Sequence, residues 1–118
     1  MRRVEKPWGY ELIWAHTERY VGKTLHIARG QSLSLQYHHR KDETIYVQSG
    51  RMLFEHFFEG EPPERRELAS GDSFRVPPGM RHRMTAIEDC DILEASTPEL
   101  DDVVRLDDRY GRTGTTKP

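Results

Sequence analysis

The chain has 118 residues, 35% of them apolar and 32% charged, with a formal charge of −2. That length holds one modest core and not two, and 18 basic residues against 20 acidic ones supply no cationic field for a nucleic-acid backbone, so no nucleic-acid partner is expected. No stretch approaches the roughly 20 apolar residues of a membrane-spanning helix, the basic start Met1-Arg2-Arg3 runs into charge and proline rather than an apolar secretory segment, and Cys90 has no second cysteine to pair with; a soluble, cytoplasmic protein without a membrane partner is the expectation.

Short β-rich runs follow one another at 10–14, 23–27, 33–37, 44–47, 52–58, 73–76, 82–86 and 92–95. Between them stand Arg29-Gly30, Ser49-Gly50, Gly60-Glu61-Pro62-Pro63, Ser70-Gly71-Asp72 and Pro77-Pro78-Gly79, which supply the backbone angles that reversals need. This spacing predicts an all-β sandwich or barrel. After it, 98–106 reads as a short helix, and the end of the chain as frayed. Fourteen of the 18 basic residues are Arg; their planar forks suit carboxylate or phosphate, but without clustering along the chain the bias reads first as surface ion pairing.

The informative pattern is the placing of glycines around possible metal ligands. Gly30 is followed by Gln36, His38, Glu43 and Gly50, and a second stretch runs Gly71, Pro77, Gly79, His82. Along a strand alternate side chains share a face, so Gln36 and His38 point one way and Tyr37 and His39 the other, while Glu43, Ile45 and Val47 share a face on the next run. His82, after a rigid turn, closes the set from a remote strand. Two imidazoles, a carboxylate and an amide oxygen can hold a divalent ion and leave positions for water or substrate. His26 and His56, outside this pattern, read as exposed or packed histidines.

These two stretches resemble the paired motifs of the cupin superfamily, with Gln36 in place of the usual first histidine and Ala86 where an Asn is common. Four segments narrow the resemblance: Lys6-Pro7-Trp8-Gly9-Tyr10-Glu11, Leu33-Ser34-Leu35-Gln36-Tyr37-His38-His39, Val76-Pro77-Pro78-Gly79-Met80-Arg81-His82-Arg83, and the run from Asp101 through Tyr110-Gly111-Arg112. Together they are similar to the isomerase domain of type II mannose-6-phosphate isomerases, often fused behind a mannose-1-phosphate guanylyltransferase domain. No such transferase domain is read in these residues. The resemblance implies a double-stranded β-helix, or jelly-roll barrel, over 1–112 with a short helical or irregular C-terminal tail, flexible at 113–118. It implies metal ligands at Gln36, His38, Glu43 and His82, for one divalent ion, zinc first and Mn, Co, Ni or Fe as alternatives. It draws attention to Lys23, Arg83, Arg105 and Arg112 as contacts for a sugar phosphate, and it implies a homodimer, for which Trp8, Tyr10, Trp14, Phe57 and Phe58 are candidate interface residues alongside their alternative as core.

The activity so implied is a metal-dependent aldose–ketose isomerase that interconverts mannose 6-phosphate and fructose 6-phosphate, or a related sugar, through an enediolate. Glu94, a carboxylate inside a run that reads as barrel wall, is the candidate catalytic base; by alternation it equally reads as facing solvent. Two readings stand beside it, a non-catalytic sugar- or metabolite-binding cupin and a metal-dependent oxygenase. The departures at His38-His39-Arg40 and in the bulky segment 54–63 fall near the expected pocket.

Overall fold

The structure, a computed structural model, describes residues 1–112 and the strand at Gly114–Thr115. Its strands in chain order are β1 (Arg2–Lys6), β2 (Gly9–His16), β3 (Val21–Ile27), β4 (Leu35–Tyr37), β5 (Glu43–Ser49), β6 (Arg51–Phe57), β7 (Glu64–Ala69), β8 (Ser73–Val76), β9 (Arg81–Ala86), β10 (Cys90–Ser96), β11 (Val104–Asp107) and β12 (Gly114–Thr115). No helix occurs among the described residues. The strands form two six-stranded sheets, β1-β2-β3-β10-β5-β8 and β12-β11-β4-β9-β6-β7, in which every pairing is antiparallel. Neighbours in a sheet are mostly remote in sequence, as in the expected jelly roll.

The core lies between the sheets and takes every second side chain. On β5, Glu43, Ile45 and Val47 are buried while Thr44 and Tyr46 are exposed. On β6, Met52 and Phe54 point inward, and Phe54 packs on Phe74 of β8 at 4.8 Å between ring centres. Leu25, Ile27 and Ile92 continue the same interior on β3 and β10. Strand alternation therefore decides which polar residues reach the inside as well: Lys23, Glu43, His82 and Glu94 occupy inward positions and are buried. Glycine is demanded at Gly9, where φ is +153° and a Cβ would run into the carbonyl oxygen of His26 on the neighbouring strand. This close approach seats Trp8, whose carbonyl accepts the amide of Ala28 at 2.9 Å.

Two expectations are corrected. The segment read as a helix at 98–106 instead turns and enters β11, which pairs with β4 on one side and β12 on the other. Tertiary pairing overrides the local preference because β4 would otherwise expose a free edge. The strands at β1 and β7 were not anticipated: both are sheet edges, rich in Arg and Glu, with little apolar surface to mark a period. Charge of that kind is how edges are kept from pairing with other chains. Apart from Gly114–Thr115, the expected flexible end at 113–118 lies outside the described residues.

Candidate metal centre

His38 lies one residue past β4, Glu43 opens β5, and His82 is the second residue of β9. Their ligand atoms gather within 4.8 Å of one another, and all three side chains are buried. His38 Nδ1 donates to the carbonyl of Asp102 at 2.6 Å, and His82 Nδ1 donates to the carbonyl of Met80 at 3.0 Å. A carbonyl can only accept, so each Nδ1 carries the proton and each Nε2 offers a lone pair. Both lone pairs face Glu43: His38 Nε2 is 3.4 Å from Oε2 and His82 Nε2 is 3.7 Å from Oε1.

These separations match ligands held about 2.0–2.2 Å from a common ion. Glu43 Oε2 is buried and, among the described residues, makes no hydrogen bond of good geometry, although the Lys41 ammonium lies 3.1 Å away. The two neutral nitrogens and one carboxylate therefore fit a divalent metal. Gln36 sits directly across the β4–β9 pairing from His82 and lines the cleft along with His38.

Electrostatics favour the ligating forms. Burial pushes His82 down to about 4, against the opposing pull of Glu43. Burial alone would raise Glu43, but the Lys41 ammonium holds its carboxyl well below the usual range. Lys41 is also buried, and Glu43 and Glu94 more than offset the cost of desolvating it, so its ammonium is held in the charged form. Its Nζ lies 3.1 Å from Glu43 and 3.0 Å from Glu94. Lys23 extends the series, at 3.7 Å from Glu94 and 3.3 Å from Glu11. The result is an alternating buried chain, Glu11–Lys23–Glu94–Lys41–Glu43, that ends on the metal ligands.

The cleft above this chain is walled by Trp8, Glu11, Gln36, His38, Arg105 and Arg112, with Lys6, Lys23 and Lys41 also reaching it. Arg112 is already held by Asp108 at 3.0 Å. Among the described residues Lys6 and Arg105 have no carboxylate partner, and Arg105 Nη1 is buried without an acceptor. Burial lowers both groups, and each is lowered further by Arg112 and relieved by Glu11. Both line the same cleft without an ion-pair partner among the described residues.

The structure thus brings Gln36, His38, Glu43 and His82 together, and places Lys23, Arg105 and Arg112 on the same cleft. Arg83 is not brought there: it follows His82 on β9 and so faces the other side of the sheet, paired with Glu55 at 3.0 Å and Asp107 at 3.3 Å. Glu94 points inward rather than to solvent, but it lies between two lysines beneath the cleft and lines none of it. The bulky 54–63 hairpin also contributes no wall to this cleft. His39 is exposed, and His26 stacks on Tyr10 and bonds Asp91 at 2.8 Å. His56 is packed inside between Phe54 and Phe74.

Lys6, Glu11, Lys41 and Asp102 went unassigned in the sequence reading. Lys6 and Glu11 flank the Pro-Trp-Gly segment and Lys41 stands two residues before Glu43, a spacing that could have pointed to them. Asp102 had no local signal. Its carboxylate accepts the amides of His39, Arg40 and Lys41 at 2.9, 2.6 and 2.8 Å, so it holds the whole turn between His38 and Glu43. Burial raises its carboxyl, and those three amides more than reverse the effect.

The sequence pattern described as "Cupin domain" matches residues 23–95. Mannose-1-phosphate guanylyltransferase ManC of Salmonella typhimurium is 34% identical over 94% of this chain and 23% of its own length. The xanthan biosynthesis protein XanB of Xanthomonas campestris is 34% identical over 95% of this chain and 24% of its own length. The chain therefore spans about a quarter of these relatives. Among solved structures, KdgF from Halomonas sp. aligns with a TM-score of 0.69 and 29% identity, over 83% of this chain and 88% of that one.

Two outcomes follow from the shell around the metal ligands. Asp102→Ala frees the 39–41 turn and is expected to weaken zinc or manganese binding by about 10–100-fold, measured by competition with a chelating dye; unchanged affinity would remove Asp102 from the site's support. In metal-free protein the unfolded chain takes up a proton at His82 below about pH 6.5 that the folded chain refuses until about 4. Stability from this group is complete above that window and falls by about 3 kcal/mol as the pH drops through it. Denaturant titrations of the metal-free protein and of His82→Asn across the window check this, the substituted protein losing less.

Proposed function

This chain belongs to the cupin family, and we propose that it is a metal-dependent aldose–ketose isomerase for a small phosphorylated sugar, with mannose 6-phosphate and fructose 6-phosphate as the pair. The observation that carries the reading is one cleft that reaches the His38–Glu43–His82 cluster through His38 and is lined as well by Lys6 and Arg105, which have no carboxylate partner among the described residues. Two uncompensated positive charges suit a phosphate monoester, which carries nearly two negative charges at neutral pH. Arg105 offers a planar fork to its oxygens and Lys6 a mobile point charge, while Arg112, whose fork is held by Asp108, adds its remaining Nη1. The curated relatives support the same class of chemistry, since the name of one contains mannose 1-phosphate.

His38, Glu43 and His82, with Gln36 as fourth ligand, would hold the ion, zinc first. A divalent ion there supplies positive charge for the oxygens that become negative as the sugar loses a proton beside its carbonyl. The protein's own part is placement. The phosphate end is drawn to Lys6, Arg105 and Arg112, which directs the carbonyl end toward the histidine wall. Trp8, at 2% exposure, excludes water from one side. Lys23 does not serve the phosphate in this arrangement, because its charge is engaged by Glu11 and Glu94. A cytoplasmic homodimer completes the proposal.

The test is a coupled assay of mannose 6-phosphate conversion with protein stripped of metal and reloaded separately with Zn, Mn, Co and Mg. Turnover that requires metal and drops at least 100-fold in His82→Ala is the expected result. Folded, metal-loaded protein that binds the sugar phosphate without converting it would replace the isomerase reading with that of a binding protein.

A further inference from the structure

We infer that Glu11 is the general base of this isomerisation, an assignment that rests on the function proposed above. Proton transfer next to a carbonyl needs an acceptor on the cleft with a lone pair not already engaged. Two carboxylates line that cleft, Glu11 and Asp102. Asp102 is excluded by its three backbone amides. Of the other buried acids near the site, Glu43 belongs to the metal cluster, Asp108 is held by Arg112, and Glu94 is clasped by Lys41 and Lys23 below the cleft.

Glu11 alone of these carboxylates both lines the cleft and keeps an oxygen outside any hydrogen bond among the described residues. It is only 5% exposed, and while Lys23 donates to its Oε1 at 3.3 Å, its Oε2 is buried without any donor. Leaving a buried carboxylate oxygen unsatisfied is expensive, and the residue that carries this one lines the cleft where the sugar would lie. The Lys23 ammonium fixes the plane of the carboxylate from one side, which leaves the second oxygen as the reactive edge. Its place on β2 is itself rigid, since Glu11 pairs with Leu25 inside a continuous ladder two residues from Gly9.

In the step assigned to it, Glu11 Oε2 takes the proton from the sugar carbon beside the carbonyl. The C–H bond breaks, an O–H bond forms on Glu11, the electron pair of the C–H bond becomes the new carbon–carbon double bond, and the π pair of the carbonyl shifts onto its oxygen. The hydroxyl proton then passes to the adjacent oxygen, and Glu11 returns its proton to the neighbouring carbon. The carboxylate is regenerated and no oxidant is consumed. Glu94 becomes a positioning residue, holding Lys23 and Lys41 apart and so aligning Glu11 at one end of the chain and Glu43 at the other.

The experiment compares the unsubstituted protein with Glu11→Gln and Glu11→Asp, each loaded with manganese. Turnover of mannose 6-phosphate is followed in D2O together with deuterium entry into the sugar; bound metal and the Kd for fructose 6-phosphate are measured in parallel. Glu11→Gln is expected to lose about 10²–10⁴-fold in kcat and in deuterium exchange, while metal content and the Kd stay within about threefold. Glu11→Asp, which keeps the charge on a shorter arm, decides the matter if the Gln variant does not fold: at least a tenfold loss of kcat with binding retained is expected. Turnover within threefold of the unsubstituted protein in either variant overturns the assignment, as does a loss of metal or sugar binding that accounts for the loss of turnover. An unsubstituted protein that neither converts nor exchanges the sugar overturns the isomerase reading itself, and this inference with it.

Discussion

Five alternating charges buried inside a small barrel set the terms for everything else in this structure. Glu11, Lys23, Glu94, Lys41 and Glu43 are each at most 5% exposed. Removing such groups from water costs several kcal/mol apiece, and apolar side chains of similar volume are often as stable in their place. The chain is therefore a poor way to fill a core and a good way to fix directions. Each lysine bridges two carboxylates, so no member can turn without leaving a buried charge unpaired. Lys41 engages Oε2 of Glu43 and leaves Oε1 toward His82. At the far end Lys23 engages Oε1 of Glu11, and Oε2 is left buried without a donor among the described residues. Charge alternation thus delivers two oriented carboxylate oxygens to one site from opposite ends.

The strands supply the spacing that such a chain requires. Lys23 and Glu94 are direct partners across β3 and β10, and Glu94 is opposite Ile45, one inward step from Glu43. Lys41 comes from the turn before β5, and that turn is shaped from outside by Asp102. The segment between β10 and β11 consequently serves the metal centre through its carbonyl to His38 and its carboxylate to residues 39–41. The following strand then brings Arg105 into the cleft. A segment with few apolar residues earns its fixed course through polar contacts with the site.

Much of this was legible in the residues. The alternation that put Gln36 and His38 on one face and Glu43 with Ile45 on another holds in the structure, as does the approach of His82 to the set from a remote strand after the Pro-Pro-Gly turn. The same rule, applied to Arg83 beside His82, excludes it from the cleft. What escaped reading were interactions with no local trace. Nothing near Asp102 announces that its oxygens will cap amides some sixty residues earlier, and its acid-rich surroundings suggest a helix start instead. Glu94 was recognised as a carboxylate in a barrel wall, but only the assembled sheet shows that Lys23 and Lys41 enclose it. The edge strands β1 and β7 escaped for the opposite reason, since their charged faces carry no periodic apolar signal.

The central claim is that this buried charge chain ends on a divalent-metal site. Anomalous diffraction from crystals soaked in manganese tests it most directly. The account predicts one strong peak within ligand distance of His38 Nε2, His82 Nε2 and a Glu43 oxygen, with both Nδ1 atoms still bonded to the carbonyls of Asp102 and Met80. A saturating soak that leaves these three residues without a peak, or that places the ion elsewhere, would contradict it.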